Sequence, residues 1–183
     1  MSSHGRNSRK PIHALQLAVA AAALAGSAAY ADDSHNFELA AFSNGTAGPA
    51  IVSGDYNTAL TQLQRTHALA NETTNTNRCV AYVATRQFPA ARLACDAAVR
   101  EAQQDIASVP VSMSWARSDY RDYLALAYSN RAVLNWLTND SAAAQSDLQK
   151  AAAVSPKATF VARNQLALQS HAAVAQVSVV TKS

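Results

Sequence analysis

The chain of 183 residues predicts an all-α fold of antiparallel helix pairs joined by short turns. Three observations carry this. The composition is 49% hydrophobic, with alanine by far the commonest residue and only five glycines and five prolines; alanine has the best helix propensity and lets helix axes approach closely. Apolar residues recur at helical spacing rather than alternating. The periodic stretches are separated by brief turn and cap signals at intervals suited to helical hairpins.

The elements follow in order. "DDSHNFELAAFSNGTAGPA" is polar and then punctuated by Gly and Pro, which predicts an irregular leader over 32–50. "SGDYNTALTQLQRTHALA" opens on a turn and N-cap and sets Tyr56, Ala59, Leu60 and Leu63 on one stripe. "TNTNRCVAYVATRQFPAARLACDAAVREAQQ" reads as two helices that part between Thr85 and Phe88, with Pro89 in a first turn. "IASVPVSMSW" has no stripe and serves as a connector. A long helix opens on Ser118, and "TND" turns it into "SAAAQSDLQKAAAV", capped by Asn139 or Asp140 and stopped before Pro156. "KATFVARNQLALQSH" is a further helix that closes the helical region 51–171. The β-branched tail 172–183 is expected to be loose or an edge strand.

The formal charge of +3 misleads, because residues 1–31 read as a secretory signal peptide. Arg6, Arg9 and Lys10 form its basic region, Ala14 to Leu24 its apolar region, and Ala29-Tyr30-Ala31 its cleavage site. About eleven apolar residues fall short of the roughly 20 that span a bilayer, so no stable membrane insertion is expected after processing. No cysteine follows the cleavage site to carry a lipid. Cutting after Ala31 takes three of fifteen basic residues and none of twelve acids, leaving twelve of each. That neutrality removes the main electrostatic case for nucleic acid. The expected location is periplasmic or secreted.

"NRCVAYVATRQFPAARLACDAAV" from Asn77 aligns with "NRAVLNWLTNDSAAAQSDLQKAA" from Asn130. A third asparagine, Asn164, stands 34 residues beyond Asn130. The stretch Tyr128–Pro156 resembles the tetratricopeptide repeat family, with Ala132, Ala144 and Ala151 where paired helices touch, Leu148 where a large apolar residue packs, and a closing proline. The resemblance extends less closely over Cys79–Ala98, to a worn half repeat from Gly54 and to a cap from Thr159. It implies a short solenoid of helix hairpins. Asn77 and Asn130 stand 53 residues apart, 19 more than one period, so the connector around Pro110 interrupts regular stacking.

The resemblance also implies a role for the asparagines. In such proteins the first helix of each pair lines a concave groove, and an Asn at this repeat position holds the backbone of an extended peptide. Asn77, Asn130 and Asn164 match it. A side-chain amide offers one acceptor and one donor face, the complement of a peptide unit, so it binds without demanding sequence. The alternative is that each amide bridges neighbouring repeats inside the protein, since a buried polar group must find a partner. Trp136 stands at a groove-lining position, with core filling as its alternative. Arg131 pairs with Asp147 as a structural brace, whereas Arg78 lacks the matching acid and is expected in solvent, with a ligand carboxylate as the alternative. Cys79 should face Ala91, one turn from Cys95, which favours free thiols over a disulfide even in an oxidising compartment.

No catalytic pattern is present. The three histidines after Ala31 are widely spaced, and no metal-ligand spacing, nucleophile elbow or phosphate loop occurs. Asp119 and Asp122 suit a helix dipole. The expected function is non-catalytic, with no cofactor or metal: a module that binds a protein or extended peptide in a helical groove. The alternative is a structural subunit, in an envelope complex or a homodimer, that docks through its convex or terminal surface.

Overall fold

The computed structural model describes residues 17–20, 37–66, 71–110 and 112–180. Among these the chain is mostly helical, with seven helices and one two-stranded sheet. The helices are α1 (Gly48–Val52), α2 (Tyr56–Gln64), α3 (Glu72–Ala84), α4 (Phe88–Ser108), α5 (Ser114–Leu137), α6 (Ser141–Val154) and α7 (Thr159–Val180). The strands are β1 (Leu17–Ala20) and β2 (Leu39–Phe42), paired antiparallel with Leu17 opposite Phe42 and Ala20 opposite Leu39.

Local chemistry sets most helix ends. Asp55, Asn71 and Asp140 each accept a hydrogen bond from the backbone N–H three residues on, so each caps a helix start. Pro89 occupies the first turn of α4, where its missing N–H has no cost. Asn139 sits at φ 63°, turning α5 into α6, while Asp140 does the capping. Gly54, at φ 79°, supplies the left-handed turn between α1 and α2.

Helices adjacent in sequence pack as pairs: α3 on α4, α5 on α6, with α4 against α5 and α6 against α7. In addition α3, α5 and α7 meet one another in turn, forming a face on which β2 lies. Two buried clusters result. One gathers α1, α2, α3 and α4 around Ile51, Leu63, Val80 and Cys95; the other gathers α4, α5 and α7 around Leu126, Val99 and Phe160. Side chains of β2 alternate between them, Leu39 and Ala41 into the first, Ala40 and Phe42 into the second. The strand is therefore a wedge shared by both cores.

Four expectations are corrected. The leader is not irregular throughout: it contains β2 and the start of α1. Extended, "FELAAF" sends alternate side chains of β2 into two different buried clusters while its backbone stays free to pair. Helix α5 opens at Ser114 rather than Ser118, so Asp119 and Asp122 lie past its first turn; Asp122 accepts a 2.6 Å hydrogen bond from Ser155 instead. The tail continues α7 to Val180, because no Gly or Pro interrupts it and β-branched residues cost a helix only a few tenths of a kcal/mol each.

The fourth concerns the cysteines. Cys79 and Cys95 form a disulfide with Cα atoms 4.7 Å apart. They are equidistant in sequence from Gln87, in the α3–α4 turn, so an antiparallel register pivoting there places them face to face. Counting the pivot nearer to Thr85 sets Cys79 against Ala91 instead. Small residues at Ala91 and Ala94, both buried, let the helices approach within bridging range.

Candidate functional site: three asparagines and an extended segment

Asn77 lies on α3, Asn130 on α5 and Asn164 on α7, and their side chains are at most 1% exposed. All three converge on one segment, residues 38–42. Asn164 accepts from the Glu38 N–H at 2.7 Å and donates to the Glu38 carbonyl at 2.9 Å. Asn130 does the same to Ala40, at 2.9 and 2.7 Å. Asn77 does it to Phe42, at 2.9 and 3.0 Å. Each amide thus completes both hydrogen bonds of one residue in an extended backbone, at every second residue. That spacing follows from strand geometry, in which alternate residues direct their N–H and C=O to the same edge.

The direction of the segment follows from connectivity. β2 is joined to α1 by the short stretch 43–47, and α1 packs beside α3. The segment must therefore run from α7 past α5 to α3, opposite to the order of the helices in the chain. Gly48 allows the turn at its end: a Cβ there would stand 2.3 Å from the Phe42 and Ser43 carbonyl oxygens. Asn77 also donates to the Thr46 carbonyl at 2.9 Å, fastening the exit. At the other end Asn164 donates to the Ser129 hydroxyl at 2.9 Å.

Side chains close both ends. Phe42 is fully buried and meets Tyr123 edge to face, with centroids 4.9 Å apart. Phe37 stacks on His171 at 5.5 Å and lies 5.8 Å from Trp136. Trp136 is half-buried and borders the entry to the groove. Glu38, itself buried, takes a 2.8 Å ion pair from Arg163 of α7.

The other sequence candidates form a second polar cluster. Arg131 grips Asp147 of α6 with two hydrogen bonds of 2.8 Å and reaches Asp96 of α4 at 2.9 Å. The brace therefore spans three helices rather than two. These carboxylates raise the Arg131 pKa above its already high value, against the lowering effect of burial, so it stays charged. Asn135 donates to Asp147, and Arg92 donates to Asn135 and Thr138. The cluster lines a cleft of about 260 Å³ with Lys150 at its edge. Arg78 is not simply solvated: it donates to the Asn75 side chain and to the Leu63 carbonyl near the end of α2.

Sequence reasoning found all three rungs and missed what they hold. It also missed Phe37, Tyr123, His171 and the Arg163–Glu38 pair as closures of the groove. One signal was available: "FELAAF" is a short, mostly apolar stretch with an aromatic at each end and a single acid, Glu38. Among the described residues no three potential ligands gather to hold a metal, and no helix is long and apolar enough to cross a membrane. The apolar region assigned to a signal peptide falls largely outside the described residues, apart from β1.

No family model, curated protein or solved structure matches this chain.

Proposed function

We propose that this chain is an exported, tetratricopeptide-like interaction module that works on extended protein backbone, with its own residues 37–42 as the resident peptide. The single observation behind this reading is the ladder, in which three amides pair with Glu38, Ala40 and Phe42 through main-chain atoms alone. Such a contact specifies conformation and leaves selectivity to the pockets for alternate side chains. A partner carrying an extended, apolar segment with an aromatic at the Phe42 position has the chemistry to take the same place. No cofactor or catalytic residue enters this role.

Near-complete burial of the asparagines favours a second reading, in which the resident segment never leaves. The protein is then a structural subunit, and its outer surfaces do the docking.

Peptide exchange separates the two. A labelled synthetic peptide of residues 35–46 is titrated against the full chain and its Ala40→Pro variant, with anisotropy as readout. Proline removes the N–H that Asn130 accepts, so it weakens the internal segment and spares the helices. The expected result is at least tenfold tighter binding to the variant. A variant that folds, by circular dichroism, and still excludes the peptide would leave the structural-subunit reading standing.

A further inference from the structure

The ladder uses only one edge of β2. Glu38, Ala40 and Phe42 direct their N–H and C=O groups to the asparagines, so those of Leu39 and Ala41 point the opposite way. There they meet β1, with Ala20 opposite Leu39 and Ala18 opposite Ala41. Helix α1 packs beside β1 as well as β2, walling this second track. Yet β1, "LAVA", lies within the region read as a cleavable signal peptide. Processing after Ala31 would remove it and leave two residues of β2 with unpaired main-chain groups, among side chains that are 4% and 0% exposed when β1 is in place.

We propose that the outer edge of β2 is a strand-acceptor site. Its ligand is an antiparallel, extended segment of a partner protein, four residues or longer, with an uncharged apolar sequence. The reason is twofold. Buried main-chain groups without partners are costly, so the processed protein gains by acquiring a strand. The segment seated there in this structure also sets the register, Ala20 opposite Leu39 and Ala18 opposite Ala41, within the uncharged sequence Leu-Ala-Val-Ala. β2 accepts no strand on its other edge, which the helices occupy through the ladder. The ladder itself keeps the acceptor strand flat and extended. The inference depends on the export reading for the loss of β1, and on the resident segment staying in the groove.

The test begins by expressing the full chain in an exporting host and reading the N-terminus of the purified protein by mass spectrometry. That step decides processing independently. The probe is a synthetic peptide of residues 16–21 with two added lysines for solubility, followed by fluorescence anisotropy. A processed protein should bind it. N-methylation at Ala18 and Ala20, the two residues facing β2, should weaken binding at least tenfold, whereas N-methylation at Val19 should leave it within about twofold. An unprocessed protein should exclude the probe, while its Ala18→Pro variant, which cannot donate to Ala41, should admit it with the same methylation pattern. Binding indifferent to the methylation position would mean nonspecific apolar contact and overturn the proposal. So would no binding by the form with β1 removed or broken, or a dimer in which a second copy covers the edge.

Discussion

At the residue scale, the asparagines carry more than their burial suggests. Removing the Asn130 amide leaves the Ala40 N–H and carbonyl unpaired in a dry site, and an unpaired buried group costs about 1–3 kcal/mol. Asn130→Ala should therefore destabilise the protein by about 2–5 kcal/mol, read from urea midpoints. Asn130→Asp keeps the size but not the donor, and should be no better tolerated. Arg131 behaves differently. Its loss would leave Asp147, whose side chain is 4% exposed, with only the Asn135 amide and Lys150 at 3.6 Å, so Arg131→Ala should cost up to about 3–5 kcal/mol. Replacing Arg131 and Asp147 together by apolar residues should cost less than Arg131→Ala alone, which a double-mutant cycle would show. Asp55 adds a pH dependence. Hydrogen bonds from the Thr58 side chain and backbone hold its folded pKa below 3.8. A lowered folded pKa means that its cap contributes fully above the unfolded value and is lost as the pH falls through the folded one. An NMR titration of the Asp55 carboxyl with a midpoint at or above 3.8 would contradict this.

At the element scale, the α3–α4 hairpin and β2 stand out. The disulfide closes a loop with a sequence separation of 16, for which chain-entropy arguments give about 3 kcal/mol. The Cys79→Ala/Cys95→Ala variant should lose about that much, and adding reductant to the wild type should reproduce the shift in denaturation midpoint. β2 is too short to be stable as an isolated ribbon. It depends on six main-chain bonds from the ladder and on the Phe42 ring. Phe42→Ala should cost about 3–5 kcal/mol, because the ring fills space between α5 and the strand and its removal leaves a cavity.

At the scale of the whole molecule, residues 38–42 cross α7, α5 and α3, tying residue 38 to residue 164. Contacts of that sequence separation make the strand and the helices one cooperative unit. Hydrogen exchange should show it: the Ala40 and Phe42 amides should exchange as slowly as the cores of α3 and α5. The Leu39 and Ala41 amides should match them only while β1 is in place, and should exchange faster once residues 1–31 are gone. Equal protection of all four in the processed protein would mean that another group covers the edge.

Much of this was legible in the sequence because it is local. Alanine content, 3.6-residue stripes, caps at Asp55 and Asp140 and the prolines at 89 and 156 determine helices wherever the chain is placed. The aligned Asn77 and Asn130, with Asn164 beyond, marked three amides that the tetratricopeptide resemblance set on one face, and the same resemblance implied the Arg131–Asp147 pair. What occupies the groove was not local. "FELAAF" has no preference strong enough to make it a strand alone; it became one because three helices present hydrogen-bonding amides at its repeat. The disulfide likewise turned on where the hairpin pivots, a matter of two residues. Sequence by itself determined the helices and the amides, since both follow from short-range propensity and period. Only tertiary structure decided what the amides hold, because that depends on which distant segment the folded chain brings to them.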